Sequence, residues 1–402
     1  MKQRLLLALL MLLTSAGFLK AEITITVPKG ATSTITVSDI TTGQEPVLSI
    51  NGSEVHKFTT SALSYQVKAD AEKDQTLVIS NNPHKGLTIT GKISNLELNS
   101  YASLETVKAS GVELTSFTLT AAPGLKSLDL SNNKLTVINV AAASKLETLN
   151  VAYNKIVDLG ILPSTLLDLN IENNGFSISG VTWDLTTALP KLTKLNISGN
   201  KLVDVKVPAT CADANFTKGI QDFTHQSEYR PNGSYVKANE NLDITDMGEK
   251  YGLSKNITSA TEWKKLEQGT EDTFGKTEDA HVNVAATLYR FYDNATKVYV
   301  DGTYECVLVR DNGFKYRVRV KIDKAKFKLK MSTLDHGKWA ATTVAGTPLT
   351  DGMDITQGNN LILRIDFTND ANYDLGKFVT EGLVLTNDSK WDVNGATCQI
   401  AG

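Results

Sequence analysis

Four asparagines recur at near-constant spacing, Asn133, Asn154, Asn174 and Asn200, each eight residues after a leucine and two before another apolar residue. A carboxamide both donates and accepts, so at a buried bend it can satisfy the backbone of its own turn of chain and of the next one. That chemistry is structural. A second set of polar residues stands between the leucines, at two, four and six positions after the leading one: Thr106, Lys108, Ser110; Ser127, Asp129, Ser131; Thr148, Asn150, Ala152; Asp168, Asn170, Glu172; and Lys194, Asn196, Ser198. Tyr153 follows the third group and is the one large aromatic among them. Their chemistry is recognition by hydrogen bonds and charge. The candidate binding residues are Lys108, Asp129, Asn150, Tyr153, Asp168, Asn170, Glu172, Lys194 and Asn196.

Catalysis would need converging groups, and the usual constellations are missing. The sequence has no H-E-x-x-H and no G-x-S-x-G, and His56, His84, His225, His281 and His336 are scattered singly. Gly269 to Thr277 ends in Gly275-Lys276-Thr277, but five residues rather than four separate its glycines, and Glu271 and Asp272 would repel phosphate. Asp366 with Asn369, Asp370 and Asp374, and Asp243 with Asp246, lack the spacing of a preformed calcium loop and read as solvated turns. The expectation is a binding protein that is not an enzyme, with no catalytic residue, metal or cofactor.

The elements that must position these residues repeat themselves. Leucines lead at 104, 125, 146, 166 and 192, and the template is L-x-x-L-x-L-x-x-N-x-L, the leucine-rich repeat. Apolar residues at offsets 0, 3, 5 and 10 all point inward only if each unit makes a coil of one short strand and a return segment; strand alternation then turns offsets 2, 4 and 6 to the concave face. A second apolar pair at offsets 13 and 15, as in Ile138 and Val140 or Leu159 and Ile161, makes the return segment extended or weakly turned rather than a full helix. Val112 stands where the repeat of Leu104 would carry its asparagine. The repeat of Leu166 is longer; its extra residues include Trp183, a core plug under a loop or an edge contact.

The fold class is therefore mainly β, a leucine-rich-repeat solenoid with an N-terminal β cap, followed by two β domains. Residues 1–21 have Lys2 and Arg4, an apolar run Leu5 to Leu13 and small residues up to Ala21, the layout of a cleaved signal peptide. Cleavage after Ala16 or Ala21 fits, the latter favoured by the strand-like Ile23 to Val27 that follows. Residues 22–83 read as short strands that cap the open end of the stack, and 84–212 as the repeats, beginning with a degenerate unit around Leu87-Thr88-Ile89. Residues 213–325 read as a β-sandwich with a tight hairpin at Asp311-Asn312-Gly313, and 326–402 as a small β unit. The formal charge of -3 over 402 residues argues against a nucleic-acid partner. Cys211, Cys306 and Cys398 are odd in number and far apart, which leaves one pair or three buried thiols. No second apolar run reaches membrane length.

The unit Leu125 to Val140 resembles the repeats of internalin-type surface proteins and related secreted leucine-rich-repeat proteins of anaerobic Gram-negative bacteria. The resemblance covers about 125 residues. It implies a β cap before the repeats and β modules after them. Members of that family carry cysteine in the strand where this chain has Leu130 or Val151, so a cysteine ladder is absent here. Trp263 and the run Asp301 to Cys306 resemble an immunoglobulin-like sandwich without its first cysteine. Gly352 to Leu375 resembles the β-grasp or sandwich units found next to internalin repeats, and no L-P-x-T-G anchor follows. Together these imply a secreted, cell-surface or envelope protein that binds a protein partner, adhesion-type, through the concave face. The alternative is a glycan-binding surface protein using Trp263, Trp339 or Trp391 of the β domains.

Overall fold

The computed structural model describes residues 22–80, 83–178, 182–224 and 226, then 242–253, 256–266, 274–275, 282–285, 287–290, 292–293, 298–299 and 302–322, and five further strands between 326 and 367. The leader expected at 1–21, His225, His281, His336, Lys276, Thr277, Cys398 and Trp391 lie outside them. The chain divides into two compact units, Met1–Asp222 and Phe223–Gly402.

The first unit begins with β1 (Glu22–Val27), β2 (Thr32–Ser38), β3 (Val47–Ile50), β4 (Ser53–Lys57), β5 (Ser64–Lys68) and β6 (Gln75–Ser80). β1 alternates half-buried and buried along Glu-Ile-Thr-Ile-Thr-Val, as a strand with one face on a core must. β4 has no such alternation, since nearly all of Ser-Glu-Val-His-Lys is exposed at a sheet edge. Its only sequence signal is the turn at Asn51-Gly52, both with positive φ, which folds it back on β3. Ile23, Ile25, Ile35, Val37, Leu48, Phe58, Leu77 and Ile79 fill the core between the sheets.

The two sheets of the cap run into the two faces of the solenoid. β7 (Gly86–Gly91), β9 (Thr106–Lys108), β11 (Ser127–Asp129), β12 (Thr148–Asn150), β13 (Asp168–Asn170), β15 (Lys194–Asn196) and β17 (Phe216–Thr217) form one parallel ladder, with β2 added antiparallel to β7 and β5 beyond it. On the other face β10 (Ser116–Leu119) lies parallel to β8 (Asn95–Asn99), which joins β1. Farther along, β14 (Thr182–Asp184) pairs in parallel with β16 (Asp204–Lys206). The return face is thus strand at β8, β10, β14 and β16 and turns or irregular chain in the coils between them, without an α-helix among the described residues. This is a mainly β leucine-rich-repeat solenoid, and its parallel sheet continues to Thr217, past the last leucine-led unit.

Register is kept without slippage: Ser127 faces Thr148, Leu128 faces Leu149 and Asp129 faces Asn150, and so on along the stack. The inward leucines Leu125, Leu128, Leu130, Leu146, Leu149, Leu166, Leu169, Leu192 and Leu195 are fully buried. Each contributes about 1.5–3 kcal/mol of hydrophobic stabilisation. His84 takes the leading position of the degenerate first coil, buried, with its Nδ1 at 2.8 Å from the hydroxyl of Tyr101. One expectation fails: Ile161, at offset 15, is 76% exposed. Gly160 before it has φ of +57°, which turns the chain so that Pro163 takes the inward place.

An asparagine at offset 8 closes the bend in four coils. In Asn154, Oδ1 accepts from Leu135 N at 2.9 Å, and Nδ2 donates to Leu130 O (2.9 Å), Val151 O (3.0 Å) and Ala152 O (3.3 Å). Asn133, Asn174 and Asn200 repeat the pattern, each linking its own coil to the one before it. The expected link to the next coil therefore runs backward, because the amide leaves its strand facing the preceding bend. Gln221 ends the series with a longer amide, accepting from Leu202 N at 3.1 Å and donating to Ile197 O and Lys218 O.

The second unit is antiparallel. β20 (Ile257–Leu266), β26 (Gly302–Arg310) and β27 (Lys315–Ile322) lie side by side, with β21 (Phe274–Gly275) beside β20. The hairpin at Asp311-Asn312-Gly313 joins β26 to β27, Gly313 N donating to Arg310 O at 2.9 Å. In a segment expected to be all β, β19 (Leu242–Asp243) gives way to helix α1 (Ile244–Lys250). Asp243 caps the helix, accepting from Thr245 N at 2.9 Å, and Ile244 and Met247 bury one face. β22 (Val282–Ala285) and β23 (Leu288–Arg290) pair antiparallel. Cys211 and Cys306 are free, buried thiols; burial pushes the Cys306 thiol well above its ordinary pKa.

Replacing Asn154 with alanine strands buried backbone groups of two adjacent coils. The expected cost is about 3 kcal/mol or more, a fall in Tm of about 6–12 °C for a unit of this size. Thermal denaturation followed by circular dichroism checks it; a fall under about 2 °C would show that the ladder does not hold the coils.

Candidate binding face

The concave sheet carries the candidate residues in rows, because each strand repeats the register of its neighbour. Lys108, Asp129, Asn150, Asn170 and Asn196 form the offset-4 row, each paired in register with the next. Asp168 and Lys194 lie side by side in the offset-2 row, 3.2 Å apart as an ion pair. Lys108 and Lys194 are exposed, and Asp129, Asn150, Asp168, Asn170, Glu172 and Asn196 half-buried. At offset 6 the expected outward face holds only in part, since Ser131 and Ala152 are buried where the chain begins its bend.

The offset-4 side chains have a role that spacing alone does not reveal. Oδ1 of Asp129 accepts from Ser131 N (3.0 Å) and Ser131 Oγ (2.7 Å), and that of Asn150 from Ala152 N (3.2 Å). Oδ1 of Asn170 accepts from Glu172 N (3.1 Å), and that of Asn196 from Ser198 N (3.1 Å). Each is a local turn that ends its strand, the reason Asp or Asn stands there. The side chains of Asn150 and Asn170 make no other hydrogen bond among the described residues, which leaves their amide NH2 groups open to a partner.

Three positions on, at offset 7, every repeat turns left-handed. Gly111, Asn132, Tyr153, Asn173 and Gly199 have φ of 69°, 56°, 55°, 49° and 69°. Glycine and asparagine tolerate that region; a tyrosine is strained in it. Tyr153 is nevertheless there, 49% exposed, with its hydroxyl donating to Glu172 Oε1 at 3.0 Å. The same Oε1 accepts from Asn173 Nδ2 at 3.3 Å, and Glu172 Oε2 from Asn196 Nδ2 at 3.0 Å. The structure thus brings Tyr153, Glu172 and Asn196 together and leaves Lys108 apart, three strands away.

Electrostatics on the flanks is self-contained. Glu105 sits between Lys85 (3.2 Å) and Lys126 (2.8 Å), and Glu113 between Lys92 (2.7 Å) and Lys134 (2.8 Å), each bridging three successive coils. Hydrogen bonds from Lys134 and then Lys92 hold the Glu113 carboxyl down to about 2. No group of three or more metal-ligating side chains gathers among the described residues. Asp243, one of the acidic candidates, is occupied as the cap of α1.

The aromatic candidates of the β domains divide. Trp263 is buried, its ring 5.2 Å from that of Tyr289, so it offers no face to a sugar. Trp339 falls in the strand Gly337–Thr343, where only the backbone is described. Trp183 is half-buried in β14, against Phe176 at 4.8 Å.

The Leucine Rich Repeat family model matches residues 124–143, and a second Leucine Rich repeat model matches 142–163. The chain carries leucine-rich repeats. Comparison with curated proteins gives no match. Among solved structures, Listeria monocytogenes InlP is similar at 19% identity, over 57% of this chain and 70% of that one, with a TM-score of 0.32. The functional domain of InlJ from Listeria monocytogenes, which includes a cysteine ladder, is 13% identical over 52% of this chain and 76% of that one, at a TM-score of 0.13. Leu130 and Val151 of this chain are buried aliphatic residues. No described helix is long and apolar enough to cross a membrane.

Two measurements test this geometry. Tyr153→Asn relieves the left-handed strain and is expected to stabilise the protein by about 0.5–1 kcal/mol; chemical denaturation that shows a loss instead would mean the ring's contacts outweigh it. For Glu113 the folded pKa lies below the ordinary value of 4.5, so its stabilisation is complete above about 4.5 and disappears as pH falls through about 2. Both partners are exposed, so the effect is small. Wild type should exceed Glu113→Gln by about 1–2 °C in Tm at pH 6, less in high salt, and by almost nothing at pH 2. A gap that persists at pH 2 and in 1 M salt would exclude the ion pairs as its cause.

Proposed function

We propose that this is a secreted bacterial surface or envelope protein that binds a protein partner through the concave face of its repeats, without catalysis. The observation that carries the reading is the open row structure of the parallel sheet, where Lys108, Asp168 and Lys194 project from strands whose inward residues are locked. A rigid sheet presents its side chains with little ordering cost on binding. The leader at 1–21 supports export. The immunoglobulin-like unit expected up to residue 325, whose first residues to Asp222 belong to the solenoid, and the β-grasp or sandwich unit at 326–402 serve as a spacer between the repeats and the site of attachment. The partner meets many polar contacts spread over several coils rather than one deep pocket.

Charge changes along the rows test the assignment. The variant Lys108→Glu, Asp129→Asn, Asp168→Asn and Lys194→Glu keeps the turn bond at 129, because asparagine stands at that offset in the neighbouring coils. Binding to cells or extracellular matrix that the wild-type protein decorates should fall at least about tenfold, with Tm changed by no more than about 2 °C. Binding that survives all four changes would move the partner to another face.

A further inference from the structure

Resting on that concave-face reading, we propose that Tyr153 and Glu172 form a seat for one arginine side chain of the partner. Three neutral donors hold the Glu172 carboxylate in place, the Tyr153 hydroxyl, Asn173 Nδ2 and Asn196 Nδ2. They fix its position without cancelling its charge. Elsewhere on this unit the carboxylates that are held by side chains of adjacent coils are held by lysines: Glu105 and Glu113 by two each, Asp168 by Lys194. Among the described residues Glu172 has no ion pair. Lys194 is engaged by Asp168, and Lys155 and Lys201, at offset 9 beyond the bend, form no ion pair either. The charge of Glu172 is left for a cation from outside.

Tyr153 supplies the second half of the seat. Its hydroxyl is tied to the same carboxylate, so the exposed ring and the anion stand side by side. A cation there meets a π face and a carboxylate together. The strain of a tyrosine at a left-handed position, where the neighbouring coils have asparagine and the outer ones glycine, is the kind found where the side chain has a task. Three of the roughly four acceptor positions of the carboxylate are filled, so a two-pronged fork cannot form. Selectivity for arginine over lysine then comes from the planar guanidinium lying on the ring, with one charge-assisted bond to Glu172.

The test uses the full chain with 13C-labelled tyrosine and three capped tripeptides, Gly-Arg-Gly, Gly-Lys-Gly and Gly-citrulline-Gly. The Tyr153 ring signals, assigned from Tyr153→Asn, should shift saturably with the arginine peptide at about millimolar concentration. The lysine peptide should bind at least about threefold more weakly and the citrulline peptide not at all. Glu172→Gln should weaken the arginine peptide about fivefold or more with the fold intact by circular dichroism. Silence up to about 20 mM peptide, well above the expected affinity, would overturn the seat. So would an equal response to citrulline, no effect of Glu172→Gln, or a neutral monosaccharide moving the ring where arginine does not. Failure here with loss of cell binding in the four-site variant removes the seat and leaves the concave face; the converse removes the face.

Discussion

The buried amide at offset 8 is the interaction on which the rest of this structure depends. A parallel solenoid must bend the chain at the end of every strand, and a bend puts backbone N–H and C=O groups where neither sheet nor water satisfies them. One carboxamide answers for two coils at once, accepting from the preceding coil and donating to carbonyls of both. Coil-to-coil register follows from that bond. With register locked, Leu128 must lie over Leu149 and Asp129 beside Asn150, so the core and the outward rows are set by the same constraint.

Much of this was legible in the sequence, and the reason is periodicity. Leucines at constant offsets name the inward face, the asparagines name the bend, and the short period excludes helices on the return side. The parts that escaped are those where the residue type changes while the role persists. Gln221 carries on the amide series outside the leucine pattern, its extra methylene reaching from a coil led by no leucine. His84 occupies a leading-leucine place because Tyr101 satisfies its ring nitrogen. Ile161 was misplaced because a left-handed glycine one residue earlier shifted the alternation. Helix α1 hid among strands because its evidence is an N-cap and a single turn of apolar spacing, which a search for period-two patterns passes over.

The binding face was legible as a list of outward positions and not as a division of labour. Spacing puts Asp129, Asn150, Asn170 and Asn196 outward with equal standing, and they are outward. Yet each also spends its Oδ1 on the backbone two residues ahead, so changes there act on strand ends as well as on a ligand. Lys108, Asp168 and Lys194 hold no backbone and are free to vary with the partner. The left-handed offset 7 is a third kind of position, visible only as a conformation. In the sequence Gly111, Asn132, Tyr153, Asn173 and Gly199 look unrelated; in the structure they share one backbone state.

That shared state gives the argument about Tyr153 its direction. At a position that favours asparagine and glycine, a tyrosine sacrifices local stability, and the ring is too exposed for core packing to make up the difference. Its one strong bond goes to a carboxylate that lacks a cation, whereas Glu105 and Glu113 on the flanks are each held by two lysines across the coils. A scaffold that clamps Glu105 and Glu113 between lysines of successive coils, and leaves a fixed anion beside a strained, exposed aromatic on its concave lip, separates two duties in one sheet. The flanks hold the coils to one another, and the lip is kept in a state that only an incoming group completes.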